Sequence, residues 1–439
     1  MIELAAIAAV FLAFSLVSRR LQNTVLTASI FFVGAGLVLG SRLIRAVDLS
    51  QVAPFFLVVG VVALSLSFFN QASRINPATL PGAAALPARL LLIGLPLTAV
   101  AGALVGAWLF PGLTLIEAAL LGTILAPADT GLIPAVMGSE RVPVRIRQAL
   151  NVESSLNDSI TTPFATLFMA LAQTELGLDA ARIHWLSPLT QVGLALLIGL
   201  AVGGGGGWLL READRRGWIN PGFQGLVFPS LTMIALPVAY LVGGNYFIAC
   251  FVAGMTTAWM FRDYGERYSH FPETAEHMLS LVVLLILGTE FVKRLPALDW
   301  RIVLYAVLSL TVVRMAPVAV ALLGKRLHWE SVLFLGWFGP RGLASIVLGT
   351  LVLDRVPGIP HSETITLTVM STVVLSIVLH GASAVPLVVR YGQRAARFEA
   401  DAPENKPVAE MPIRLGWSLH PRHTEERLSA WETRTRRRE

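Results

Sequence analysis

Between residues 122 and 166 two apolar segments flank a short basic loop, and three carboxylates lie inside those segments. Asp129 lies in Ala126-Pro127-Ala128-Asp129-Thr130-Gly131, and Glu153 and Asp158 lie in Asn151-Val152-Glu153-Ser154-Ser155-Leu156-Asn157-Asp158-Ser159. An ionisable group at bilayer depth is costly unless it is paired or wetted, so it marks an ion path by default. Asp158 follows Asn157 and has hydroxyls around it. A carboxylate is a hard oxygen ligand for a small cation, and the same group holds a proton. One group that takes either ion is the minimum needed to couple the two. Ser154, four residues before Asp158, shares its helix face. It offers a neutral oxygen or bonds back to its own helix. Glu153, five residues before Asp158, points to another side. It pairs with a buried base, Arg314 or Arg341, or serves as a second ligand, because an arginine in hydrocarbon needs a partner.

The elements that must carry these groups are membrane helices. The chain has 439 residues, 55% hydrophobic and 14% charged, where a soluble domain carries about 25% charged residues. Apolar runs of roughly 20 residues recur throughout, which makes an all-α polytopic membrane protein. About thirteen spans are expected, at 3–18, 24–45, 52–70, 88–110, 113–138, 149–173, 188–210, 225–242, 245–261, 275–293, 300–323, 331–353 and 364–391. The opening run, Leu4 to Val17, reads as a first helix and not a removed signal. Pro127, Gly131 and Pro134 break the fifth span. Such a break frees carbonyls and exposes half-helix ends, the usual material of transporter ion sites.

Residues 1–391 form one transmembrane domain, and 392–439 a polar, basic tail expected to be loosely ordered. The loops that hold Arg19, Arg20, Arg74, Arg141, Arg145, Arg147, Arg215 and Arg216 are richer in bases than the loops that hold Arg42, Arg45, Arg182 and Arg294. The positive-inside rule then places the tail in the cytoplasm and the N-terminus outside. The net charge of +6 calls for no nucleic acid. A single cysteine, Cys250, excludes an intramolecular disulfide. Gly36 with Gly40, Gly102 with Gly106, and the run Gly203 to Gly207 allow close helix approach, within one copy or between two. Glu117 and Glu290, near span ends, are read as reaching the interface, and His380 as a packed residue rather than a proton relay. Paired histidines at metal spacing, a nucleotide loop and a nucleophile motif are all missing, so neither an enzyme nor a cofactor is indicated.

At these residues the chain resembles the bacterial cation:proton antiporters of the sodium/proton exchanger (NhaP-like) family. The likeness rests on Leu125-Ala126-Pro127-Ala128-Asp129-Thr130 and the run Arg141 to Asp158, followed in order by Phe247-Ile248-Ala249 with Phe251-Val252-Ala253-Gly254, and by Gly336 to Ser345. The resemblance implies an inverted-repeat fold with two crossed broken helices, a homodimer and a place in the cell's inner (plasma) membrane. It implies exchange of a monovalent cation, Na⁺ first and K⁺ or Li⁺ after it, against H⁺. Asp158 becomes the exchanging carboxylate and the cation's site, with Asn157 beside it, a pair associated with electroneutral exchange. Ser154, Asp129 and the Ala128 carbonyl join it as ion-binding groups. Glu153 and Arg314 match a buried ion pair, and Arg341 a second core arginine. The chain departs from the family twice. Ala128 stands where a threonine is common, and Asn70-Gln71 where many members have an acid. The alternative is a channel or ion-sensing subunit that kept the fold without exchange.

Overall fold

The computed structural model describes residues 2–21, 26–41, 53–74, 85–175, 187–261, 265–355 and 361–408. Arg42, Arg45, Arg182 and the tail beyond 408, which entered the charge argument, lie outside these residues. Every regular element among the described residues is helical. In chain order they are α1 (Ile2–Leu21), α2 (Ala28–Gly40), α3 (Ala53–Ser73), α4 (Ala85–Leu109, with a π turn at Leu90–Gly94), α5 (Leu115–Ile124), α6 (Val144–Glu175), α7 (Ser187–Arg215), α8 (Val227–Leu241), α9 (Tyr246–Met260), α10 (Gly265–Arg294), α11 (Trp300–Leu310), α12 (Val312–Leu322), α13 (Trp329–Trp337), α14 (Leu343–Arg355) and α15 (Ser362–Ala395). Among the described residues, seven spans are long and apolar enough to cross a membrane, α11 and α12 together making one of them. Others, such as α5 with the turn after it and α13 with α14, are halves of interrupted segments. Interruption is why length alone does not mark them.

Each break has a cause in its sequence. After α5, residues 125–129 leave the helix, a 3₁₀ turn follows at Thr130–Leu132, and Pro134 opens one further helical turn. Pro127 and Pro134 cannot donate to a helix ladder. Between α13 and α14, residues 338–342 read Phe338-Gly339-Pro340-Arg341-Gly342, and the helix stops before this proline for the same reason. α6 contains Pro163 yet continues through it for 32 residues.

The glycine pairs pack within the monomer. A Cβ on Gly102 would come within 3.0 Å of the Gly122 Cα of α5, and one on Gly203 within 2.4 Å of the Ala253 carbonyl of α9. Helices α4 and α5, and α7 and α9, therefore touch along their backbones, the approach that bare glycines permit. The largest buried cluster runs through α2, α3, α5, α10, α14 and α15 and includes Phe32, Phe68, Leu121, Leu285 and Val347. A second joins the start of α6 to α13 and the end of α15, through Met137, Ile146, Phe338 and Val388. These two cores hold the breaks between them.

The last helix runs to Ala395, past the boundary expected at 391, and residues 396–408 fold back onto the bundle. Glu404 is buried there. Its Oε1 accepts from the His328 backbone N–H at 2.7 Å and from the Ser331 hydroxyl at 2.8 Å. Phe398 stacks on the His328 ring at 3.9 Å. Arg145, at the start of α6, donates to the Pro403 carbonyl. These short-range anchors order the first part of a stretch that composition reads as loose.

Candidate functional site

The two breaks cross. The Asp129 N–H donates to the Pro340 carbonyl at 2.7 Å, and the Ser345 hydroxyl to the Ile124 carbonyl at 2.7 Å. Each break then supplies the charge that the other's helix end needs. Arg341 Nη1 donates to the Ala126 and Pro127 carbonyls at 2.8 and 2.9 Å, at the C-terminal end of α5. Asp129 Oδ2 accepts from the Leu343 N–H at 3.4 Å, at the N-terminal end of α14, while its Oδ1 accepts from the Gly131 N–H at 2.9 Å. Cations suit helix C-termini and anions N-termini, because the peptide dipoles leave partial charge there. Glycine is required where the strands of this crossing meet. A Cβ on Gly342 would fall 2.1 Å from Asp129 Oδ2, and one on Gly339 2.5 Å from Arg314 Nε.

Helix α6 lies against the first break. Asn157 Nδ2 donates to the Ala128 carbonyl at 2.7 Å, and the Asn157 Oδ1, fully buried, has no protein donor. Three residues of α6 here have different duties. Asn157 grips the first break. Asp158, the next residue, is buried, and its backbone carbonyl accepts from Thr162 Oγ1 at 2.6 Å and from Thr161 Oγ1 at 3.3 Å. Ser154, one turn earlier on the face of Asp158, accepts twice from Thr130: from the backbone N–H at 3.0 Å and from Oγ1 at 3.1 Å.

Glu153 faces another helix, as its five-residue offset requires. Arg314 Nη2 of α12 lies 2.6 Å from Glu153 Oε1, with each side chain 1% exposed. Arg341, the other base considered for Glu153, is instead spent on the Ala126 and Pro127 carbonyls just past α5 and on the Ser309 carbonyl, 3.4 Å from Nη2. Its backbone N–H donates to Ser376 Oγ at 2.8 Å. Ser376 touches His380 Nδ1 at 3.1 Å, and His380 Nε2 lies 2.8 Å from the Trp337 carbonyl, the last of α13. His380 therefore braces the second break from α15, fully buried.

Of the residues read from sequence, Asn157, Ser154, Asp129 and Ala128 make contacts at one crossing, with Arg341 in it and the Glu153–Arg314 pair beside it, and Asp158 is buried on α6 next to Asn157. A model of the family described as "sodium/hydrogen exchanger, transmembrane" matches residues 5–390. The chain belongs to that family. Among curated relatives, a Na⁺/H⁺ antiporter of Schizosaccharomyces pombe is 25% identical over 64% of this chain and 66% of its own length. The K⁺/H⁺ antiporter NhaP of Alkalimonas amylolytica is 23% identical over 85% of this chain and 63% of its own length. A second S. pombe protein, described as a probable Na⁺/H⁺ antiporter, is matched over 33% of its length. The chain thus spans between a third and two thirds of these relatives. In three dimensions it resembles the sodium proton antiporter MjNhaP1 of Methanocaldococcus jannaschii, with TM-score 0.72, 17% identity and coverage of 89% of this chain and 99% of that one. The fold is shared, and the chain is a multi-pass membrane protein.

Sequence reasoning missed four parts of this exchanger-family chain. Thr130 was quoted only as part of a motif, yet its hydroxyl reaches Ser154. Ser376 and His380 hold the second break, and no spacing rule links them to it. Glu276 of α10 is buried and accepts from Asn70 Nδ2 at 3.0 Å, so the position that lacks an acid on α3 faces one from another helix. Glu117 does not reach solvent. It closes a capping box with Thr114 and lies 3.1 Å from His361 Nδ1. The pattern Thr114-Leu115-Ile116-Glu117 was the available signal.

Proposed function

We propose that this chain is a secondary antiporter that exchanges a monovalent cation, Na⁺ before K⁺ or Li⁺, for H⁺ through competition at Asp158. The observation that carries the reading is the placing of Asp158. It is buried on α6, next to the Asn157 that clamps the Ala128 carbonyl and one turn from the Ser154 that accepts from Thr130, so that two neighbours on its helix touch the first break. Glu153 lies against the Arg314 guanidinium, and Asp129 caps the N-terminus of α14. Neutral oxygens from Asn157, Ser154 and Ala128 replace part of the cation's hydration without adding charge. A proton on Asp158 removes the charge that holds the cation, so the two ions exclude each other. One charge for one charge makes the exchange electroneutral. Asp129 enters this scheme as the neutralising charge of a half-helix end that faces the site, and Arg341 as its counterpart.

The same reading places the tail and the base-rich loops in the cytoplasm and the N-terminus outside, in the plasma membrane. It takes the working unit to be two copies, for which the apolar face of α1, unburied in the monomer, is available. The test is a cation jump in proteoliposomes loaded with a pH dye. Purified protein is expected to dissipate an imposed pH gradient when Na⁺, K⁺ or Li⁺ is added. Dissipation without added cation would mark a proton leak and refute exchange.

A further inference from the structure

Helix α6 stands between two groups of elements, and it is fastened to them differently. Toward the first break the hold is polar and repeated. Asn157 donates to the Ala128 carbonyl, Ser154 accepts from the Thr130 N–H, and Arg147 donates from Nε to the Val142 carbonyl at 3.1 Å and from Nη1 to the Met137 carbonyl at 3.4 Å. These contacts run in antiparallel order along the helix, so α6 and the break form one body. On the other side α7, α8 and α9 pack on one another. Thr257 Oγ1 of α9 donates to the Gly203 carbonyl of α7 at 3.2 Å, where the two backbones touch.

A side-chain hydrogen bond joins the two. Asn245 Nδ2, at the start of α9, donates to Thr166 Oγ1 of α6 at 3.3 Å. Both partners are oriented before they meet. Asn245 is buried and caps α9, its Oδ1 accepting from the Phe247 and Ile248 N–H groups at 3.1 and 3.2 Å. An amide whose oxygen is held on a helix N-terminus presents its nitrogen on the opposite side. The turn that carries Asn245 is itself seated on α7. Gly243 takes a φ of 77°, a Cβ on Gly244 would come within 3.2 Å of the Ala195 nitrogen, and the Asn245 N–H donates to the Gln191 carbonyl at 3.2 Å. On α6 the Thr166 hydroxyl gives its proton to the Pro163 carbonyl at 2.9 Å, so its lone pairs are left for the amide.

Exchange needs the site to open to one side of the membrane and then to the other, which a bundle that carries a site achieves by moving against its neighbour. We infer that the Asn245–Thr166 hydrogen bond is a latch between the site-bearing α6 and the α7–α9 bundle, closed in this conformation and opened during each exchange cycle. The inference rests on the exchange reading above. The latch touches no ion, so it acts on the rate of the conformational step and not on the affinity of the site. A single neutral hydrogen bond between helices is a weak hold, which suits a contact that is broken and remade at every turnover.

Two sets of variants test it in proteoliposomes. Thr166→Val keeps the shape of the side chain, removes the acceptor and leaves the cap of α9 intact. In a cycle limited by the conformational step, its maximum exchange rate is expected to rise about threefold with the cation KM within about twofold. Thr166→Ser should keep the wild-type rate. A merely structural loss would lower the rate, so the direction separates the two roles. In the second set, Asn245→Cys and Thr166→Cys are combined with Cys250→Ala, and oxidation joins α6 to α9. The oxidised protein is expected to stop exchanging and to recover on reduction. A fully cross-linked protein that exchanges at the reduced rate, or a Thr166→Val protein whose rate does not rise, would overturn the latch. Failure of the two cysteines to cross-link would overturn it as well, because the side chains would not meet. Wild type that moves no protons on addition of any cation would instead refute the exchange reading, while cross-linking would still report the contact.

Discussion

The two breaks are built alike and used differently. Both are proline-bearing, both leave helix ends open at the crossing, and each end is met by a charge from the opposite break. The first break is rich in neutral oxygens, with the Ala128 carbonyl and the Thr130 hydroxyl turned to α6. The second is cationic and closed. Arg341 lies in it, Arg314 lies under Gly339, and His380, Ser376 and Trp337 brace it. A cation can be solvated by the first and is repelled by the second. On the exchange reading proposed above, the first half of the crossing binds and the second fixes geometry.

The most drastic way to break this division is to separate the breaks. Gly342→Ala forces a methyl against the Asp129 side chain, 2.1 Å from Oδ2 and 2.4 Å from Cβ. Overpacked backbone at such a contact is expected to cost more than about 4 kcal/mol and to leave no monodisperse protein after extraction. Size-exclusion chromatography checks it, and a well-behaved Gly342→Ala protein would show that the crossing is not as described.

The pair beside the crossing comes next. Glu153→Gln leaves Arg314 buried without its counter-charge, and Arg314→Met does the reverse. Each is expected to cost about 3–5 kcal/mol in a detergent melt, and removing both charges less than the sum. Additive losses in that cycle would mean that the two side chains do not act on each other.

Asp129→Asn sharpens the comparison from the first break. Asparagine keeps the hydrogen bond to α14 and loses the charge on the helix dipole, at about 0.3–1 kcal/mol. Exchange should persist with a slightly lower melting temperature. A folded Asp129→Asn protein without exchange would place this carboxylate in the ion path.

The smallest effect is at the tail, which fastens the start of α13. Burial alone would raise the Glu404 carboxyl. The His328 backbone N–H and the Ser331 hydroxyl outweigh it and hold the carboxyl below the usual carboxylate range. A depressed folded value means that the docking free energy is present above the unfolded value and is lost as pH falls through the folded one. The protection of the amides of residues 396–408, taken relative to the intrinsic exchange rate at each pH, should therefore be high at neutral pH and fall only in acid. Glu404→Gln should lower that protection at neutral pH, and protection unaffected both by acid and by Glu404→Gln would show that Glu404 is not the fastener.

Much of this was legible in the chain. The spans follow from hydropathy, because a helix is the economical way to carry backbone through lipid. Asp158, Asn157 and Glu153 stood out as polar residues where lipid tolerates few. Spacing separated Glu153 from Asp158 but left two arginines as its partner, and only the fold shows Arg341 occupied by the Ala126 and Pro127 carbonyls. Thr130, Ser376 and Glu276 were hidden for one reason. Each is an ordinary residue whose partner is distant in sequence, so no periodicity reports it. The fold-back of residues 396–408 was hidden by composition, since a few specific anchors can order a polar segment that buries little.

The central claim is that one carboxylate takes either ion, and the dependence of cation affinity on pH tests it most directly. Initial exchange rates in proteoliposomes would be measured against cation concentration at several symmetrical pH values, with Asp158→Asn as the silent control. Below the pH at which the site is half protonated, each further unit of acid is expected to raise the apparent KM about tenfold, because one proton excludes one cation. The maximum rate at saturating cation should change far less. A KM flat from about pH 6 to 8.5, or normal exchange by a folded Asp158→Asn protein, would contradict the account.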